Sequence, residues 1–270
     1  MRRAVLGLIA LLSVSACSSG LFSSSPATTT QKAAEEEPDS RRPTPPRDKR
    51  TRAKLHTELG SLYLQKQNYS VALEELTMAI VVDPDYAPAH GARGLVLYNI
   101  REMALADRDF QQALNLDPND PELNNNYGWF LCQVGREKEA MPYLQRAMKN
   151  ALYETPDRAY LNAGACYVKL GDLDAAEGFV QHSLLIRPNN PQALLQLAEI
   201  NYRRGQVELA GQQLSDLLRK TEPNAEALWL AVRVERKLGD RLAEARYSAQ
   251  LKRKFPLSPE AQELLKGNFE

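Results

Sequence analysis

The chain has 270 residues, 43% hydrophobic and 25% charged, which supplies a sizeable core for one or two domains and excludes a disordered chain or a short disulfide-knit scaffold. Its 34 basic side chains balance 34 acidic ones, so no global positive field exists to hold nucleic acid, and no nucleic-acid partner is expected. An aromatic content of 7% with 14 Gly and 16 Pro disfavours a turn-rich β sandwich or barrel and points to an all-α chain.

Met1-Arg2-Arg3 is a short basic start, and residues 4–12 form an apolar run too short to span a bilayer as a helix. The run leads into Val14-Ser15-Ala16-Cys17, which resembles a bacterial lipobox. By that resemblance residues 1–16 are a lipoprotein signal peptide and Cys17 becomes the acylated first residue. The alternative is an ordinary secretory signal with Cys17 as an incidental thiol. Ser18 stands where an Asp would resemble an inner-membrane retention signal, so the resemblance implies the periplasmic face of the outer membrane. Removing residues 1–16, which hold two Arg and no acid, leaves 32 basic against 34 acidic side chains, so the anchor must be lipidic rather than electrostatic.

Residues 17–52 are rich in Ser, Thr and Pro and hold almost no large apolar side chain after Phe22, so a lipidated, disordered tether is expected there. Its charge is segregated: Glu35-Glu36-Glu37 and Asp39 precede a basic stretch at 41–54. That stretch reads either as a collar touching lipid head groups or cell wall, or as a solvated tether.

From residue 53 a fixed period sets the architecture. Gly60, Gly94 and Gly128 are 34 residues apart, as are Ala72, Ala106 and Ala140, and Ala79, Ala113 and Ala147; Pro84 and Pro118 close the first two units. The next steps, to Gly164 and Ala176, are 36, so Thr155-Pro156 reads as a two-residue loop insertion; Ala210 restores 34. Within a unit, apolar residues at helical spacing form two helices, small residues allow the pair to approach, and Pro ends the second. This is the signature of the tetratricopeptide repeat. Six units are expected, at 53–86, 87–120, 121–154, 157–190, 191–224 and 225–258, in a right-handed superhelical solenoid. The last two are degenerate, with Ala198 and Val232 at the Gly place and Glu244 at an Ala place. Ser258-Pro259 then starts a capping helix over 259–270.

In such a solenoid the first helix of each unit lines the concave face. Carrying over the repeat positions that usually face it places Leu64, Leu95, Tyr98, Asn125, Trp129, Cys132, Leu161, Val168, Leu195, Tyr202 and Trp229 there. An apolar, partly aromatic floor of this kind suits a helix or an extended peptide; packing between neighbouring first helices would also account for several of these residues. Arg203, Arg233, Arg236 and Lys237 make the far end basic, which suits an acidic segment or a solvated helix face equally.

Nothing in the sequence suggests catalysis, a cofactor, a metal or a small-molecule substrate. His56 and His90 fall at a packing position, His182 is isolated, and none has a ligand partner at metal-binding sequence spacing. Cys132 and Cys166 lie on neighbouring first helices, so a disulfide is conceivable, but their repeat positions differ by two, which is expected to point them apart.

Lipobox, tether and repeats together resemble the type IV pilus biogenesis and stability lipoproteins of the PilF/PilW family. The most specific stretch is Leu123-Asn124-Asn125-Asn126-Tyr127-Gly128-Trp129-Phe130-Leu131-Cys132, supported by Tyr160-Leu161-Asn162-Ala163-Gly164 and by residues 184–194. The resemblance implies a pilotin, a non-enzymatic lipoprotein that binds the pilus secretin subunit and promotes its outer-membrane insertion and multimerisation. The docking surface is expected in the N-terminal half of the groove, at Leu64, Leu95, Tyr98 and Trp129. Two other classes stay open, a component of the β-barrel insertion machinery and an adaptor for cell-wall enzymes.

Overall fold

The structure, a computed structural model, describes residues 46–269; the signal peptide, Cys17 and most of the tether lie outside them. The described residues form thirteen helices and no strand, paired as α1 Pro46–Gln65 with α2 Tyr69–Val82, α3 Ala87–Asn99 with α4 Met103–Leu116, and α5 Pro121–Gln133 with α6 Glu137–Lys149. The series continues with α7 Pro156–Leu170 and α8 Leu173–Ile186, α9 Pro191–Arg203 and α10 Val207–Lys220, then α11 Ala225–Leu238 and α12 Arg241–Lys254. The last helix, α13 Pro259–Lys266, packs against α11 and α12. This is an all-α solenoid of tetratricopeptide hairpins.

Small residues sit where the two helices of a hairpin cross. A Cβ on Gly60 would lie 2.6 Å from Leu76 Cγ, one on Gly128 2.7 Å from Leu144 Cγ, and one on Gly164 2.8 Å from Val180 Cγ2. Ala72, Ala106, Ala140, Ala176 and Ala210 are fully buried beside them. The degenerate sixth unit keeps the packing by substitution: Val232 is fully buried at the Gly place, and Glu244 accepts from Arg236 Nη1 at 2.8 Å. Caps delimit the first helices. Asp120, Asn190 and Asn224 accept from the backbone N–H groups of Leu123, Ala193 and Ala227, and Ser258 Oγ accepts from Ala261 N ahead of Pro259.

The turn between the helices of each unit contains one residue in the left-handed region, at Gly135, Gly171, Gly205 and Gly239. The first two units carry Gln67 (φ 58°) and Arg101 (φ 69°) at that place. Glycine adopts this conformation without a Cβ clash, whereas an L side chain is strained there.

The boundary expected at 52/53 falls inside α1, which begins at Pro46. Part of the basic stretch is therefore folded. Arg50 Nε lies 2.7 Å from Asp83 Oδ2, Nη1 donates to the Asp85 carbonyl, and the guanidinium rests over the Tyr86 ring.

Cys132 and Cys166 form a disulfide across the joint between α5 and α7, with Cα atoms 5.6 Å apart. The expectation that they point apart is corrected. Two residues along a helix turn a side chain through about 200°. On adjacent, similarly oriented first helices that offset brings one side chain to the forward-looking face and the other to the backward-looking face, and these faces meet. Both cysteines are buried, so Cys132 is a joint residue rather than an exposed groove side chain.

Candidate protein-docking groove

Successive first helices pack directly against one another, from α1 through α11, whereas among the described residues the backbones of successive second helices do not approach each other. The first helices therefore lie on the inside of the curve. A concavity of about 490 Å³ opens along α5, α7, α9 and α11, bounded by Trp129 at one end and Trp229 at the other. Leu161, Ala165 and Val168 contribute apolar floor, and Gln133, Lys169, Gln192, Glu199, Arg203, Glu226 and Arg233 supply polar groups.

The residues expected to form the groove divide into three sets. Trp129, Leu161, Val168 and Trp229 line it. Leu64, Leu95 and Tyr98 are half-buried further toward the N-terminal end: Leu64 packs on the core around Leu76 and Val96, Leu95 joins the central core, and Tyr98 meets Trp129 edge-on at 4.8 Å between ring centroids. Asn125, Leu195 and Tyr202 are buried, at 0%, 3% and 5% exposure; Leu195 still lines the concavity, whereas Asn125 and Tyr202 do not and hold structural places. Asn125 accepts from Asn162 Nδ2 at 2.9 Å across the α5–α7 joint. Leu195 and Tyr202 belong to the core shared by α9, α10 and α11, with only an edge of Leu195 reaching the groove.

The concavity thus lies mainly in the C-terminal half, and Trp129 is the one residue of the expected N-terminal quartet that lines it. Gln192, Gln196 and Glu226 also line it; as polar side chains on helices they carried no sequence signal separating them from a solvated face.

The charges at the far end are partly compensated. Glu199 accepts from Arg203 at 2.6 Å and from Arg233 at 3.4 Å, and Arg233 and Lys237 both lie over the Tyr202 ring, at 4.6 and 4.4 Å. Partial desolvation, reinforced by Glu260 and Glu199, pushes the Glu226 carboxyl above the usual carboxylate range. Desolvation pulls the Lys169 ammonium below the usual lysine value. Its Nζ donates to the Cys132 carbonyl at 2.9 Å and to Gln133 Oε1 at 3.2 Å, which secures the groove wall beside Trp129.

The Asn-rich segment before Trp129 is explained residue by residue. Asn124, fully buried, donates to the Pro118 and Asp120 carbonyls and accepts from Arg146. Tyr127 donates to Asp107 Oδ1 at 2.8 Å, and desolvation with that bond raises its hydroxyl to about 12. Gly128 admits Leu144, and Cys132 closes the disulfide. These groups fix α5 on three sides, and Trp129 is left facing the concavity.

Two histidines have carboxylate neighbours that sequence spacing did not reveal: His56 Nδ1 lies 2.7 Å from Glu75 Oε2, and His90 Nδ1 3.5 Å from Asp109 Oδ1. Among the described residues no group of three or more His, Cys, Asp or Glu is placed to hold a metal ion.

A curved stack of hairpins with a half-apolar inner groove defines a tetratricopeptide scaffold, a class that works by docking other proteins. Models of the tetratricopeptide repeat match residues 57–121 and 101–222. The type IV pilus assembly protein PilF of Pseudomonas aeruginosa is 32% identical over 208 residues, which covers 77% of this chain and 82% of that protein. The crystal structure of PilW, a widely conserved type IV pilus biogenesis factor, superposes with a TM-score of 0.69 at 33% identity, over 79% of this chain and 98% of that one. A structure of P. aeruginosa PilF gives 0.65 at 30% identity, over 82% and 99%. The chain belongs to the PilF/PilW family of type IV pilus biogenesis proteins.

Proposed function

We propose that this protein is a pilotin: anchored by lipid at Cys17 to the periplasmic face of the outer membrane, it binds the type IV pilus secretin subunit in its concave groove and promotes secretin insertion and multimerisation. The observation that carries the reading is the relationship to PilF across three quarters of the chain. The groove between Trp129 and Trp229 supports it physically. An apolar floor releases water when a helix or extended segment docks, and the polar rim orients the segment. Proteins that act in this way need a surface fixed before binding, because ordering a flexible one on docking would subtract from affinity. The disulfide and the buried asparagines provide that rigidity beside Trp129.

The test is capture of purified secretin subunit by the full chain and by Trp129→Ala and Leu161→Asp variants that retain wild-type helicity and melting. Truncating an aromatic anchor costs about 2 kcal/mol, or about thirtyfold in affinity. Normal capture by both variants would remove the groove as the docking surface.

A further inference from the structure

The segment after α13 returns to the inner face of the solenoid. Gly267 adopts the left-handed conformation (φ 73°) that ends α13, its N–H donates to the Leu264 carbonyl, and the Asn268 N–H donates to the Glu263 carbonyl. The side chain of Asn268 adds a second hold, donating to Glu263 Oε2 at 2.8 Å. This reversal places the Phe269 ring on Trp229, stacked with centroids 5.6 Å apart and planes 29° apart. The Arg236 guanidinium also lies over that ring, 3.9 Å from its centroid. Trp229, Arg233 and Arg236 are four and three residues apart and so share one face of α11. Trp229 is also the residue that bounds the concavity.

We propose that Trp229 and Arg236 form an aromatic-recognition subsite at the C-terminal end of the groove, which the chain fills with its own Phe269 until a partner segment carrying an aromatic side chain beside acidic residues displaces it. The stacked ring defines the chemistry: one planar aromatic group is received against an indole and a guanidinium plane. Acidic flanks are selected by the basic face of α11 beside the ring, where Arg233, Arg236 and Lys237 stand: Glu199 and Glu244 each hold one of the arginines, while Lys237 makes no ion pair among the described residues. The occupant is tied down by one short turn and two hydrogen bonds to Glu263, so release requires no unfolding of α13, whose Ala261 is anchored in the core with Leu228 and Leu251. Phe269 acts as an internal competitor: a partner's apparent affinity is reduced by the fraction of molecules in which the subsite is filled. The proposal rests on the reading of the groove as a docking surface.

The experiment is fluorescence anisotropy with the full chain and a labelled peptide bearing one Phe between Glu residues in a Gly-Ser background, alongside its Phe-to-Ala counterpart. Phe269→Ala is expected to bind the Phe peptide roughly three- to tenfold more tightly than wild type. Arg236→Gln, at a half-exposed position that leaves the core intact, and Trp229→Ala are expected to abolish the gain when combined with Phe269→Ala, and the Ala peptide should show none. Unchanged or weaker binding by Phe269→Ala, equal binding of the two peptides, or no binding by any variant overturns the proposal. Trp129→Ala separates it from the parent reading. A gain from Phe269→Ala with secretin capture indifferent to Trp129→Ala keeps the subsite and removes the groove-wide docking; the reverse pattern keeps the groove and removes the subsite.

Discussion

Asp109 is buried in the second hairpin, and the groups around it make its contribution to stability depend on pH. Burial pushes its carboxyl upward, but bidentate hydrogen bonds from Arg93, at 2.6 and 2.8 Å, and the neighbouring His90 outweigh burial and hold it below the usual carboxylate range. A lowered folded value means that this pair stabilises the protein fully above the ordinary carboxylate range, and that the stabilisation is lost as pH falls through the folded value. Arg93→Gln leaves a buried charge without its partner and should cost about 3 kcal/mol at neutral pH. Urea unfolding of both proteins should show that gap narrowing between about pH 7 and about pH 3; a gap independent of pH would contradict the assignment. The disulfide is the second residue-scale determinant. Joining residues 34 apart removes chain entropy from the unfolded state, so reduction, or Cys132→Ser with Cys166→Ser, should lower stability by about 3–4 kcal/mol in urea unfolding. An unchanged midpoint would mean that the interlocked α5–α7 joint is sufficient without it.

At the scale of the element, the hairpin was legible because its requirements fall on residue types that cannot be exchanged freely. Crossing helices need Gly or Ala at contact, as the Gly128–Leu144 approach shows, and Pro and capping residues mark the ends. The left-handed turn position was less visible, because the first two units break the glycine series with Gln67 and Arg101. It yields a test. Arg101→Gly should raise stability by about 0.5–1 kcal/mol, while Gly135→Ala, where a Cβ meets no neighbour and the effect is conformational alone, should lower it by about 1 kcal/mol. Thermal melting of the two variants in opposite directions is the expected result; a shift in the same direction would show that the turn tolerates either residue. The start of α1 was misjudged for a related reason. Residues 46–52 look like tether because they are polar and charged, yet Arg50 is held by Asp83 and Asp85, which lie beyond α2 and cannot be matched to it by local pattern.

For the whole molecule, the fold followed from the period, while the groove followed only in part. Repeat position assigned Trp129 and Leu161 to the inner face, but it could not tell an inner-face residue that remains open from one covered by its neighbours, as Asn125 and Tyr202 are. That distinction depends on how tightly successive first helices close on one another, which is a property of the stack and not of any one unit. The disulfide escaped for the same reason, since the two cysteines face each other only after α5 and α7 are set side by side. The proposed role likewise belongs to this scale, because it joins a lipid anchor at one end of the chain to a rigid groove in the folded repeats. The most direct measurement compares outer-membrane fractions from cells with the intact protein, cells lacking it, and cells carrying Cys17→Ala, probed for a detergent-resistant multimer of the pilus secretin. Loss of the multimer without the protein, and its loss or mislocalisation with Cys17→Ala, is the expected result; an unchanged multimer in all three would contradict a lipid-dependent pilotin.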